Sequence, residues 1–385
     1  MKKVLIFLTA LLIRQNVFCA EIEVERVLTE NSSIQSALTI NYDMLIQDQL
    51  MKFAEQKIRE ANALFFPTVD LSVSLSEFNN GSPLIIANNA SNNPIYLPAE
   101  SSKDTYYYSR ISVVQNLYTG GRIRAAGKLA AINVEKVKNE SNKVKNEIIL
   151  KVKTAFNKCL YYQKKIDYFK TALNKNNTAA IKQAIDLAQL QYDKSVLDLL
   201  SVIGLELNTI ISIDGEFAPK IKNITLNQCL LLAYRYKPEI QMTQHQESID
   251  ELGVNLLSMQ RYPTVVVGAA QEWTGRKIID DNGNWYIFLT INLPVFDGGG
   301  AISRVLQGKI VARQAALERS KTESLIKLAV NKSFIEYNFW KQRALENNLY
   351  EKQGLYNEAE LEIVKNLNES YFNLELDIGV QLDNY

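Results

Sequence analysis

One pattern occurs twice in this chain: an apolar strand pair entered through Pro-Thr-Val and left through Gly-Gly into a very long helix. The first copy reads Phe66-Pro67-Thr68-Val69 and then Asn116-Leu117-Tyr118-Thr119-Gly120-Gly121. The second reads Tyr262-Pro263-Thr264-Val265 and then Leu293-Pro294-Val295-Phe296-Asp297-Gly298-Gly299-Gly300. Ahead of the hairpins Ala37 matches Ala233, Asn41 matches Lys237 and Pro67 matches Pro263, a constant offset of 196 (233 minus 37). Behind them Gly120 matches Gly298 and Phe156 matches Phe334, an offset of 178 (298 minus 120). The difference falls in the hairpin tips, where loop length is free to vary. A duplication on this scale dictates the architecture before any local motif does.

From Ile34 to Leu64 the apolar spacing is helical, and Pro67 ends it because proline cannot continue the hydrogen-bond ladder. The period then changes. Val69, Leu71, Val73 and Leu75 alternate with Asp70, Ser72, Ser74 and Ser76, so one face is apolar and the other hydroxylated or charged. Residues 79–104 have loop composition, and a returning strand runs from Tyr106 to Tyr118. In the second hairpin Val265, Val267 and Ala269 lead to Trp273, and Trp285, Ile287, Leu289, Ile291 and Leu293 return on one face. Each strand is about ten residues, the length that crosses a bilayer at a tilt. Beyond Gly121, Val144, Ile148, Val152, Ala155 and Cys159 recur at spacings of three and four, as do Ile326, Val330, Ser333, Tyr337 and Trp340 in the second copy. Such spacing predicts helices packed side by side. A helix from Arg122 to Tyr192 would span about 100 Å at 1.5 Å per residue.

Lys2 and Lys3, the apolar run Val4 to Ile13 and Val17-Phe18-Cys19-Ala20 have the layout of a secretory signal peptide over residues 1–20. No later stretch reaches the ~18 apolar residues of a spanning helix, so any membrane crossing is made by strands. Lys plus Arg (43) balances Asp plus Glu (42), which leaves no field to recruit nucleic acid. Cys159 and Cys229 make no disulfide framework and read as small core residues. The single histidine, His245, and the absence of a Walker-type loop or a Cys-x-x-Cys give no ground for a metal, a cofactor or an enzyme.

Four amphipathic strands cannot close a barrel, for which about eight is the practical minimum, and an open sheet edge is not tolerated in a bilayer. Several chains must therefore share one barrel. The helices that leave Gly120-Gly121 and Gly298-Gly299 would continue its wall, glycine suiting a turn that demands positive φ or close backbone approach.

The Pro-Thr-Val entries, Leu117-Tyr118-Thr119-Gly120-Gly121-Arg122, Leu293-Pro294-Val295-Phe296-Asp297-Gly298-Gly299 and the helix openings at Ala37/Asn41 and Ala233/Pro238 resemble the outer-membrane efflux protein family, the TolC-like channels. The resemblance implies a mainly α fold with a membrane β-barrel part. Long α-helical coiled-coil hairpins and two β-hairpins per chain, duplicated, would form a 12-stranded barrel and a helical tunnel in a homotrimer. The layout reads as a signal peptide at 1–20, then a first repeat at 21–220 with a helix, a β-hairpin at 67–118 and a long helical hairpin at 121–220. A second repeat at 221–385 holds a helix, a β-hairpin at 263–296, a long helix at 299–368 and a truncated return helix.

The implied function is a passive export duct of an efflux or type I secretion system, lying in the cell outer membrane with its helical part in the periplasm. Its implied partners are outer-membrane lipid, a periplasmic adaptor protein and an inner-membrane pump or ABC transporter. By the same resemblance, adaptor-docking tips fall at Ser195, Val196 and Leu197 and at Ser370, and an acidic pore constriction falls at Asp377. Asp70 and Arg110 are expected to line the pore, and Gly120, Gly121, Gly298 and Gly299 to form the strand-to-helix turns. Two other readings stand beside this one: a non-channel periplasmic coiled-coil scaffold or adaptor, and a degenerate family member whose tunnel is incomplete.

Overall fold

The computed structural model describes residues 26–78, 85–87, 94–96, 104–175, 178–275, 277–279, 283–349, 352 and 356–382. The signal-peptide reading at 1–20 lies outside them. In the first repeat the chain forms β1 (Arg26–Leu28), α1 (Glu30–Ile40), α2 (Tyr42–Ala63), β2 (Thr68–Phe78), β3 (Ile85–Ala87), β4 (Pro94–Tyr96), β5 (Asp104–Tyr118), α3 (Arg122–Lys175), α4 (Ala179–Ile203) and β6 (Ile211–Ile213). The second repeat forms α5 (Leu226–Tyr236), α6 (Pro238–Met259), β7 (Thr264–Gly275), β8 (Gly283–Asn292), α7 (Gly300–Glu346) and α8 (Glu358–Ile378). Two compact units result: a sheet unit of residues 47–142 and 238–325, and a helical unit of residues 1–46, 143–237 and 326–385.

The duplication extends to helix caps. Thr29 opens α1 by accepting from the Ser32 amide, and 196 residues later Thr225 opens α5 by accepting from Gln228, each in a reciprocal capping box. Such a cap contributes about 1 kcal/mol by satisfying amides that the first turn leaves unpaired. The next helices, α2 and α6, are both 22 residues long.

In the helical unit β1 and β6 pair in parallel, and the core is helix on helix. Ile148, Val152, Phe156 and Cys159 of α3 are buried, as are Leu199, Leu200 and Ile203 of α4 and Val330 and Tyr337 of α7. Helix α8 is the most enclosed, with Leu361, Val364, Leu367, Tyr371, Leu374 and Ile378 all buried at spacings of three and four. Full burial of each leucine or isoleucine stabilises by about 1.5–3 kcal/mol relative to exposure. Polar groups fix the position of α8. Asn368 donates to Asn157 Oδ1 of α3 at 3.1 Å and to the Ala218 carbonyl at 3.0 Å, and it accepts from the Lys220 amide at 2.7 Å. Lys153 of α3 meets Glu375 at 2.6 Å, both side chains being about 5% exposed. Cys159 and Cys229 are free and buried. Burial, helped by Asp198, pushes the Cys159 thiol up to about 12, which makes it chemically inert.

Two expectations are corrected. The second long helix does not run to residue 368: α7 ends at Glu346, and Asn357 caps a separate return helix by accepting from the Glu360 amide at 3.0 Å. That return helix is no remnant either, because α8 has 21 residues to the 25 of α4 and both end on a left-handed glycine. Gly204 abuts Ile40 and Asn41, whereas Gly379 abuts Tyr236 and Lys237, the same stations 196 residues on.

The segments expected at hairpin tips also lie elsewhere. Ser195, Val196 and Leu197 are inside α4, and Ser370 is inside α8 at the equivalent place, each serine nine residues before its capping glycine (204 minus 195, 379 minus 370). Both serines are buried, and each hydroxyl folds back on its own helix, Ser195 donating to the Gln191 carbonyl and Ser370 to the Leu367 carbonyl, both at 2.8 Å. Without a glycine or proline at this step, nothing breaks the ladder, and the serine hydroxyl is accommodated by back-bonding.

The cap of α8 makes one pH prediction. Burial alone would raise the Glu360 carboxyl, but Lys352 at 2.5 Å and the Asn357 amide at 2.9 Å outweigh it and hold the group below its ordinary value. A depressed carboxylate stabilises the fold above its unfolded pKa, about 4.3, and loses that contribution as pH falls through the folded value. The stability gap between the native protein and Glu360→Gln is therefore expected to be constant from neutrality to about pH 5 and to shrink below about pH 4. Denaturant titrations at several pH values read it directly.

Candidate membrane sheet and strand-to-helix turns

The sheet unit holds an antiparallel sheet of order β2-β5-β7-β8, and the short strands β3 and β4 pair with each other. Thr68 stands opposite Val114 in the first hairpin and Thr264 opposite Asn292 in the second, the same pair carried by the two offsets. The copies join in the middle, where Ile111 faces Gln271 and Arg110 faces Glu272 across β5 and β7.

Opposed residues share a face. One face carries Val69, Leu71, Val73 and Leu75 on β2 and Trp285, Ile287, Leu289 and Ile291 on β8, each at least half exposed. A continuous apolar surface of this kind marks contact with protein or lipid rather than water. No helix among the described residues is long and apolar enough to cross a membrane. The opposite face carries Asp70 and Ser72 on β2, Arg110 and Ser112 on β5, Glu272 on β7 and Tyr286 and Thr290 on β8.

Asp70 and Arg110 thus lie on one face and diagonal to each other, since Asp70 opposes Ser112 and Arg110 opposes Ser72. Arg110 has a nearer partner that sequence reasoning missed. Its Nε lies 3.6 Å from Glu272 Oε1, and Glu272, only 4% exposed, also accepts from the Tyr108 and Tyr286 hydroxyls at 2.8 Å each. The cluster pins β5, β7 and β8 in register. Its sequence signal was an acid and a base at the same phase of two alternating strands, but only the pairing across copies shows that they meet.

Asp377 lies in the last turn of α8, 20% exposed. It accepts from the Ser333 hydroxyl at 2.5 Å and has Lys237 Nζ at 3.8 Å. A carboxylate at a helix C-terminus opposes the helix dipole, and the lysine offsets this. The first copy solves the same corner without charge: Asn41, at the station of Lys237, donates to the carbonyl of Val202, which stands where Asp377 does two residues before the glycine. Asn/Val has become Lys/Asp. Asp377→Ala is expected to cost about 1 kcal/mol of stability by loosening this corner, measurable by denaturant titration.

The two Gly-Gly turns have one conformation. φ is 65° and 84° at Gly120 and Gly121 and 67° and 85° at Gly298 and Gly299. All four values fall where a side chain is strained, so glycine permits an immediate strand-to-helix change. Asp297 anchors the second turn, accepting from the Ala301 amide at 2.6 Å and pairing with Arg304 at 3.0 Å. Surroundings differ sharply. A Cβ on Gly120 would stand 2.7 Å from Tyr262 Cβ and 3.1 Å from the Met259 carbonyl, whereas one on Gly298 would meet nothing within 4 Å.

Among the described residues no group of three or more His, Cys, Asp or Glu could hold a metal. Residues 33–194 match the family described as outer membrane efflux protein. No curated protein matches the chain. Among solved structures, a membrane protein from Pseudomonas aeruginosa is similar with a TM-score of 0.70 and 13% identity over 92% of this chain and 91% of that one. The outer membrane protein VceC from Vibrio cholerae has a TM-score of 0.61 and 17% identity over 91% of this chain and 94% of its own. The MtrE outer membrane channel of Neisseria gonorrhoeae has a TM-score of 0.60 and 13% identity over 92% and 89%. Residues 33–194 are thus similar to the outer membrane efflux protein family, and the fold of both repeats is similar to that of these outer membrane proteins.

Proposed function

We propose that this chain is the outer-membrane channel component of an efflux system, a passive duct whose wall begins in lipid as strands and continues into the periplasm as helices. The observation that carries the reading is the four-stranded sheet with one exposed apolar face and one polar face, joined to α3 and α7 through matched glycine turns. A coiled-coil scaffold has no need of an unpartnered apolar sheet. The duct is energised elsewhere, so its partners are further copies of the chain in a homotrimer, an adaptor in the periplasm and an inner-membrane pump or ABC transporter. The adaptor meets the helical hairpins at their ends, between Lys175 and Thr178 and between Glu346 and Glu358, rather than at Ser195 or Ser370.

Fractionation tests the reading: the protein should sediment with the outer membrane and run as a multimer in SDS until heated. A monomer in the soluble periplasm would sink it. In the assembled duct Asp377 is the proposed constriction. Its alanine variant should raise conductance, and an unchanged value assigns the residue to the α5–α8 corner alone.

A further inference from the structure

The charges on the polar face of the sheet are unequally exposed. From the rung of Asn116, Val266 and Thr290 to that of Ser74, Tyr108 and Thr274, the charged residues on this face are Asp70, Arg110 and Glu272. Asp70 shares a rung with Ser112, Ala270 and Tyr286, and Arg110 shares the next with Ser72, Glu272 and Asn284. Asp70 is exposed. Arg110 and Glu272 turn to each other instead, Nε lying 3.6 Å from Oε1, with side chains 28% and 5% exposed.

Strand β7 lies between β5 and β8, so Glu272 gathers groups from both sides. Tyr108 and Tyr286 hold the same station in the two copies (286 minus 108 is 178), and both hydroxyls donate to Glu272 Oε1 at 2.8 Å. The charges themselves are not duplicated. At the stations of Asp70, Arg110 and Glu272 the other copy carries Val266, Phe288 and Ser76 (266 minus 70, 288 minus 110, 272 minus 76). Phe288 lies over Gly268 and brings no charge. The sheet therefore forms at these stations without ionised groups, and what the three charges share is one face of the duct wall.

We propose that Glu272 is a positioning residue that holds Arg110 to the wall and cancels its charge, so that Asp70 sets the sign of the strand-built part of the duct, which favours cationic and neutral solutes over anions. This rests on the duct reading and adds the class of its cargo. An arginine cannot lose its proton, so only its partner decides whether solutes feel its charge. With Arg110 cancelled, each chain presents the single negative charge of Asp70, and like charges repeated around a narrow lumen with low-dielectric walls concentrate counter-ions.

Reversal potentials of the full-length multimer in planar bilayers under a KCl gradient test this. The native protein should pass K⁺ in preference to Cl⁻. Asp70→Asn should abolish the preference, because only the neutral Arg110–Glu272 pair remains. Glu272→Gln should abolish it as well: the glutamine still accepts from the tyrosine hydroxyls, but the uncovered Arg110 now balances Asp70. The double variant should reverse the sign of the potential and pass Cl⁻ in preference to K⁺, a change that a merely structural role for Glu272 would not produce. Retained K⁺ preference in Asp70→Asn, or no reversal in the double variant, overturns the proposal. Asp377 is intact throughout, so a preference set there alone would survive every substitution and count against Asp70. Unheated SDS gels show whether each variant assembles; should Glu272→Gln fail to, Asp70→Asn decides alone, since its side chain is exposed. A native protein that passes no current sinks the duct reading, whereas one that conducts with unaltered selectivity in the variants sinks this inference and leaves the duct standing.

Discussion

Gly120→Ala is expected to lower stability by about 3 kcal/mol, while Gly298→Ala lowers that of a single chain by about 1–2. Both substitutions place an L side chain at positive φ, which accounts for the shared part. Only Gly120 adds a collision, 2.7 Å from Tyr262 Cβ and 3.1 Å from the Met259 carbonyl. Relief would require moving the backbone of the α6–β7 corner, so the clash is of the overpacking kind and costs about 1–3 kcal/mol more. Tyr262→Ala does not rescue Gly120→Ala, because the first side-chain carbon is what collides. Unfolding of each variant in detergent gives the ordering.

Lys153→Met is expected to cost about 3–5 kcal/mol, because it removes the ammonium that meets the buried Glu375 carboxylate at 2.6 Å. The Leu382 amide at 2.8 Å still donates to Glu375, but a neutral amide is a weaker partner than an ammonium at 2.6 Å. The double variant Lys153→Met with Glu375→Leu should recover most of the loss, since a buried ion pair and a packed apolar pair of similar volume are close in stability. Equal stability of the single and double variants would contradict this account of the pair. Lys153 also lies 5.3 Å from the Phe372 ring, and methionine preserves that packing.

The duplication, the strand faces and the glycine turns were legible because each rests on local chemistry: period two, proline and glycine. Val69 to Leu75 alternate in the sequence and stand on one exposed face in the structure. Ser195 was misplaced for the opposite reason. Recognising a turn there required a glycine that the chain lacks, and helix propensity carried α4 straight through to Gly204. The same step misassigned Ser370 and displaced the second hairpin. The Arg110–Glu272 pair was beyond reach because it depends on the register between copies, and Asp377 looked free until Lys237 and Ser333 were seen to meet it.

That several chains form one conducting tube is tested most directly by single-channel recording from the purified full-length protein in planar lipid bilayers. Discrete, uniform conductance steps that disappear when the multimer is dissociated are the predicted result. A folded, multimeric preparation that inserts into the bilayer and passes no current would contradict the account.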